Sequence, residues 1–148
     1  MPTIFSPMRA ITLVRIFIGL VVLSAGLNKV LIVGTTNFNA FIHSLPQLGM
    51  LQDMVGLGLP WIEIILGFFL VFGVFTRITA AITAFIFAGM IGTMGFFSKP
   101  GEISIHYHSF IFLQSLALIF VGKEPTLWSF DTWYKKIQKA KHVKTIKV

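Results

Sequence analysis

Long apolar windows separated by short polar segments dominate this chain. A helix needs about 20 mostly apolar residues to cross a hydrocarbon core of roughly 30 Å. Four windows meet that requirement: residues 11–33, 57–75, 78–97 and 103–121. The pattern predicts an all-α polytopic membrane protein, with a four-helix antiparallel bundle in residues 1–122 and a tail in residues 123–148. The first window is expected to be an uncleaved span, because it is longer than the apolar core of a typical signal peptide.

The composition agrees with a membrane location and narrows the chemistry. The 148 residues are 55% hydrophobic and only 11% charged, whereas a soluble domain carries roughly a quarter charged residues. The chain has no cysteine, which excludes thiol catalysis, disulfide exchange and thiolate-bound metal sites within it. It also has no phosphate-binding loop, nucleophile elbow or paired carboxylates. No catalytic motif and no metal site are therefore predicted.

The basic residues predict how the bundle is oriented. Ten of the twelve fall on one side of the predicted spans: Arg9, Arg15, Arg77 and the seven lysines that follow residue 121. Lys29 and Lys99 fall on the other side. Because cytoplasmic loops are enriched in Lys and Arg, both termini are expected in the cytoplasm and the loop 34–56 outside.

Two segments outside the spans have an amphipathic pattern. In the loop 34–56, apolar residues recur three and four positions apart until Pro46: Phe38, Phe41, Ile42 and Leu45. This spacing predicts a short interfacial helix that covers the bundle. The tail combines four aromatic residues with seven lysines and two acids, a net charge of +5. Both nucleic acid and anionic lipid fit such a charge, and the membrane helix immediately before the tail favours lipid over nucleic acid.

The few charges inside the spans are the candidates for a functional site, because each costs roughly a few kcal/mol in hydrocarbon. Arg15 and Lys29 are 14 residues apart, as are Glu63 and Arg77. That separation is within about 40° of four full helical turns, so each pair shares one helix face. Antiparallel packing then brings Lys29 level with Glu63. Glu63 itself is expected near a helix end. We predict an ion pair between Lys29 and Glu63 and a hydrogen bond to this pair from Asn28.

The charged residues that antiparallel packing brings to the same level form two pairs, and each pair has two interpretations. Lys29 and Glu63 either fix the helix register or belong to a ligand site. Arg15 and Arg77 either reach separately to lipid phosphates or converge on one anion or polar headgroup. Small residues on the same faces predict close packing of the helices: Gly19, Gly26, Gly67 and Gly73.

The fourth span carries two histidines. His106 and His108 point about 160° apart on a regular helix, so they cannot bind one metal ion together. His108 is expected either to hydrogen-bond a neighbouring helix or to stand beside a quinone or a proton path.

The spacing of these residues carries a resemblance to a known family. The pattern is Arg15-x3-Gly19 and Ala25-Gly26-x2-Lys29 in the first span, then Glu63-x3-Gly67 and Gly73-x2-Thr76-Arg77 in the second. It resembles the DoxX family of small bacterial membrane proteins over nearly the whole chain, apart from the basic tail. The resemblance implies a four-helix bundle in the bacterial inner membrane. It also implies a loose link to redox chemistry, because the family takes in or lies near the DoxD subunit of thiosulfate:quinone oxidoreductase and the MauE protein of methylamine utilisation.

Three functions are compatible with these features. The first is a quinone- or lipid-binding subunit of a membrane redox system, in which Glu63, Lys29 or His108 would hydrogen-bond the ring and a partner subunit would carry the electrons. The second is a non-catalytic interaction or assembly protein, which allows a homo-oligomer. The third is a small transporter in which Glu63 couples protons to a substrate, although the chain shows no inverted repeat.

Overall fold

The structure, a computed structural model, describes residues 7–95, 107–121 and 129–146. Every regular element in these ranges is helical. The α-helices are α1 (Pro7–Leu27), α2 (Thr35–His43), α3 (Gln52–Phe72), α4 (Thr76–Met94), α5 (Tyr107–Val121) and α6 (Phe130–Ile146). A π-helical turn, Asn28–Ile32, continues α1, and a 3-10 helix, Pro46–Leu51, leads into α3.

The protein is an all-α polytopic membrane protein. Three stretches are long and apolar enough to span a bilayer: Met8–Ile32, Pro46–Phe72 and Thr76–Met94. The apolar helix α5 is shorter, and residues 103–106 of the predicted fourth span lie outside the described residues, as does His106. Residues 96 and 97 at the end of the predicted third span also lie outside them.

The bundle presents apolar side chains to its surroundings and places polar ones inside. Large apolar residues such as Phe85 and Leu31 are mostly exposed, whereas Thr83 and Ser115 are fully buried. The Thr83 hydroxyl donates to the carbonyl oxygen of Thr79 one turn earlier, at 2.8 Å. A bilayer accounts for the exposed apolar surface, because lipid solvates it, and the buried Thr83 hydroxyl bonds to its own helix.

Helices α1 and α3 pack closely and antiparallel, with glycines at the seam. A Cβ atom built on Gly19 would lie 2.7 Å from the backbone nitrogen of Val71. One built on Gly26 would lie 2.8 Å from the carbonyl oxygen of Pro60, and one on Gly67 would overlap the backbone of Leu23. Residues in ascending order along α1 thus contact residues in descending order along α3, as expected for antiparallel helices. Small residues allow this approach of two membrane helices.

A short turn joins α3 to α4 and depends on two left-handed residues. Gly73 ends α3 with φ 66°, and Phe75 precedes α4 with φ 46°. Gly73 therefore differs from its predicted role in helix packing. It terminates the helix, because glycine adopts the left-handed conformation without the steric cost of a Cβ atom.

The loop between α1 and α3 folds back over the bundle. Helix α2 buries Phe38 and Ile42 and leaves Phe41 exposed, and it packs mainly against α3. The chain then turns at Pro46, where the 3-10 helix begins. His43 and Asp53 close the loop on its exposed side, with His43 Nε2 at 2.9 Å from Asp53 Oδ1.

Replacement of Gly67 tests the contact between α1 and α3. Gly67→Ala places a methyl group against the Leu23 backbone, so the helices must separate, and we expect a loss of about 1–3 kcal/mol of unfolding free energy. Gly58→Ala is the matched control in the same helix, because nothing lies within 4 Å of its Cβ position. Denaturation in detergent measures both, and equal stability of the two variants would contradict the packing.

Candidate functional site

The centre of the candidate site is an ion pair between α1 and α3. Lys29 Nζ lies 2.6 Å from Glu63 Oε2, and the two side chains are 10% and 1% exposed. The ammonium group also donates to the carbonyl oxygen of Ala25, at 3.5 Å. Glu63 Oε1 is buried and has no hydrogen-bond partner among the described residues. The pair therefore holds a carboxylate oxygen that is free to accept a further hydrogen bond.

Two local features position Lys29. It lies in the π-helical turn Asn28–Ile32, where the backbone N–H of Val33 donates to the carbonyl oxygen of Asn28 at 2.9 Å. Single π-helical turns often mark functional sites, because the extra residue redirects the side chains around them. Phe38 of α2 supplies the second feature, since Lys29 Nζ lies 5.5 Å from the centre of its ring. Helix α2 is thus a lid helix that contacts the cation directly.

Asn28 does not take the predicted part in the site. Its side chain is exposed, and no hydrogen bond from the side-chain amide to the described residues is found. Only its backbone carbonyl contributes, by closing the π-helical turn.

Helix α5 brings aromatic residues to this region. Tyr107 lies within electrostatic range of Glu63, and its ring centre is 3.7 Å from that of His108. His108 is buried at 3% exposure and packs against Phe87 of α4, with ring centres 5.9 Å apart. The His108 side chain thus packs between α5 and α4.

Glu63 lies deeper along its helix than predicted. Helix α3 has 21 residues and starts at Gln52, so Glu63 is near its middle rather than near an end. The helix therefore includes about one more turn ahead of the predicted apolar window, which begins at residue 57. At about 1.5 Å per residue, roughly 15 Å of helix extends from Glu63 toward each end.

Arg15 belongs to a second buried cluster, beside the turn between α3 and α4. Its side chain is fully buried, with Nη2 at 3.5 Å from the carbonyl oxygen of Val71. The guanidinium group also fills the space beside Gly73 and lies within electrostatic range of Asp131. Burial contradicts the interpretation in which Arg15 reaches lipid phosphates.

Arg77 has different partners, so the interpretation in which Arg15 and Arg77 converge on one anion is wrong. Arg77 is exposed, and its Nε donates to the carbonyl oxygen of Ile119 in α5, at 3.1 Å. The turn at Gly73–Phe75 ends α3 before Arg77 is reached, so the prediction that Glu63 and Arg77 share one helix face is wrong. Arg77 therefore belongs to α4 and faces α5, whereas Arg15 faces α3.

Asp131 is a helix-capping residue that the sequence pattern did not single out. Its carboxylate accepts hydrogen bonds from the backbone N–H groups of Phe75 and Thr76, at 3.0 and 3.1 Å. A residue of α6 thereby caps the N-terminus of α4, where unpaired N–H groups favour a carboxylate. Asp131 is 56 positions from Phe75 and 55 from Thr76 in sequence, so no local spacing could have revealed this contact.

An apolar groove of about 300 Å³ runs between α3 and α4. Its walls are Ile62, Ile65, Leu66, Phe69, Phe75, Ile78, Thr79 and Ile82. The groove is almost free of polar surface, which suits a hydrocarbon chain rather than a polar ring. On α3 it begins beside Glu63 in sequence, at Ile62. Among the described residues, no three His, Asp or Glu side chains come together as ligands for a metal ion.

The chain was compared with models of known protein families. The family model of the methylamine utilisation protein MauE matches residues 8–102. The chain belongs to the MauE family. The match includes Arg15, Lys29, Glu63 and Arg77, and it ends before α5 and α6. No curated protein and no solved structure gave a significant match. The narrower resemblance of this MauE-family protein to DoxX stays a prediction.

Removal of the carboxylate tests the ion pair. Glu63→Gln leaves Lys29 as an uncompensated buried charge, and we expect a loss of about 3–5 kcal/mol of unfolding free energy. The double variant Lys29→Met/Glu63→Gln removes both charges and should recover most of that loss. Asp53→Asn, an exposed acid on the same helix, should change stability by less than about 1 kcal/mol. Thermal unfolding in detergent measures all three, and a double variant less stable than Glu63→Gln would contradict the pairing.

Replacement of Asp131 tests the cap on α4. Asp131→Ala leaves the backbone N–H groups of Phe75 and Thr76 without their acceptor, and we expect a loss of about 1–3 kcal/mol. Asp131→Asn keeps one acceptor oxygen and should recover part of it. Unfolding of the three proteins under the same conditions measures the effect. An alanine variant as stable as the wild type would show that the cap contributes nothing.

Proposed function

We propose that this MauE-family protein is a membrane subunit of a redox system that binds the ring of a quinone or quinol beside Lys29 and Glu63. The observation that carries the proposal is the buried pair whose Glu63 Oε1 has no partner among the described residues. A buried charge pair is costly to maintain, and an unpartnered carboxylate oxygen within it adds to that cost. A ligand hydroxyl would supply the missing hydrogen bond.

The two charged groups suit the two oxidation states of a quinone. The ammonium group of Lys29 has three N–H donors and uses two of them on Glu63 and Ala25, so one remains for a quinone carbonyl. Glu63 Oε1 would accept a hydrogen bond from a quinol hydroxyl. The chain has no cysteine, so the electrons would come from a partner subunit. The resemblance described above implies the same link to redox chemistry, and membership of the MauE family agrees with it.

The apolar groove supports a ligand with a long chain. Its wall residues Ile62 and Leu66 lie one position before and three positions after Glu63 on α3. A hydrocarbon chain in the groove would therefore lie along α3, the helix that carries Glu63. Quinones and other membrane lipids share this combination of a polar head and a hydrocarbon chain.

Quinone binding by the purified protein tests the proposal. A short-chain ubiquinone or menaquinone analogue should raise the unfolding temperature of the wild type, and organic extraction should recover quinone from it. The shift should be lost in Glu63→Gln and kept in Asp53→Asn. Glu63→Asp, which keeps the charge, serves if the glutamine variant does not fold, and its shift should be reduced. Absence of both copurified quinone and a thermal shift in the wild type would overturn the proposal.

Proton-coupled transport is a second candidate, favoured by the depth of Glu63. Carboxylates in the middle of membrane helices are frequent proton carriers, and α3 places Glu63 at its middle. The wild type in proteoliposomes should then show a proton flux that Glu63→Gln abolishes and Asp53→Asn preserves. A flux equal to that of empty vesicles would eliminate transport of protons.

A further inference from the structure

Helix α6 is attached to the bundle at its first turn only. Ser129 is buried, and the backbone N–H of Asp131 donates to the carbonyl oxygen of Gly73, at 3.3 Å. Asp131 caps α4, as described above. Beyond this junction, α6 has no substantial packing against the other described helices. Because most helices of this length depend on burial of an amphipathic face, the 17-residue helix α6 requires a further contact surface.

The faces of α6 show what kind of surface that is. At 100° per residue, Phe130, Trp133, Tyr134 and Ile137 lie within about 100° of one another. Their aromatic rings are about half exposed, at 47% for Phe130, 57% for Trp133 and 51% for Tyr134. Lys135, Lys136 and Lys139 lie on the opposite side and are exposed. An aromatic stripe opposite a lysine face is typical of helices that lie in a membrane interface.

We propose that α6 is an interfacial helix that binds the anionic lipid surface beside the turn between α3 and α4. The cap of Asp131 on α4 holds the first turn of α6 at the level where two membrane-spanning helices end. The aromatic stripe then lies at headgroup depth, where Trp and Tyr are enriched. The lysines are attracted to anionic headgroups, which act on basic residues within a Debye length of the surface.

Several features favour lipid over a protein partner or a nucleic acid. The stripe is mostly aromatic, and Trp133 and Tyr134 each carry a polar group at the ring edge, unlike the aliphatic side chains that dominate a helix–helix seam. The tail has a net charge of +5, which complements a surface of phosphate headgroups. Its attachment point lies at the end of the spans, so the bilayer surface is within reach of every copy of the protein.

Spin labels on opposite faces of α6 test this inference. The chain has no cysteine, so Ile137→Cys and Lys139→Cys each provide a single labelling site in the full-length protein. In nanodiscs of phosphatidylcholine with increasing phosphatidylglycerol, the label at 137 should gain collisions with oxygen and lose collisions with a water-soluble nickel complex. The label at 139 should remain accessible to nickel throughout.

Neutral and charge-conserving variants separate the contribution of the lysines. Lys135→Gln/Lys136→Gln in the Ile137→Cys background should lower the ratio of inserted to detached helix about thirtyfold at intermediate phosphatidylglycerol content. Lys135→Arg/Lys136→Arg should leave it unchanged. Any one of three results would overturn the inference. They are equal nickel accessibility at 137 and 139, insertion that does not depend on phosphatidylglycerol, and shielding of 137 only in discs with two copies of the protein. None of these outcomes depends on quinone binding.

Discussion

The contact between Lys29 and Glu63 constrains the whole arrangement of α1 on α3. Either residue alone would be an unpaired charge surrounded by helices and hydrocarbon, and that condition is strongly unfavourable. The pair therefore restricts the axial register of the two helices to the one in which ammonium and carboxylate meet, at 2.6 Å. The seam of Gly19, Gly26 and Gly67 then determines how closely they approach. Charge selects the register, and small residues allow the contact.

The same constraint explains why the loop between α1 and α3 is ordered over the bundle. Lys29 is the point at which α1 changes to a π-helical turn, and Phe38 lies against its ammonium group. The lid helix α2 thus shields the ion pair from water as well as covering apolar surface. The site thus combines a buried ion pair with a carboxylate oxygen, Glu63 Oε1, that has no partner among the described residues.

The end of the bundle near the turn between α3 and α4 follows a different physical principle. Its charges are compensated by backbone groups and by a residue distant in sequence. Arg15 fills the space beside Gly73, while Asp131 neutralises the N-terminus of α4. This junction joins the membrane bundle to the basic helix α6, which lies outside the region that matches the MauE family. The family bundle thus carries an appended helix whose own chemistry suits the bilayer surface.

Sequence alone determined the properties that depend on periodicity within one helix. The apolar windows established the all-α membrane class, and the antiparallel order of the first two spans brought Lys29 level with Glu63. The tertiary structure decided every contact that depends on how helices end and turn. A left-handed turn at Gly73 and Phe75 directed Arg77 toward α5, the early start of α3 placed Glu63 at mid-helix, and α6 supplied Asp131 to α4. Such contacts depend on backbone conformation at a few residues and on partners far apart in sequence, and no periodic pattern records either.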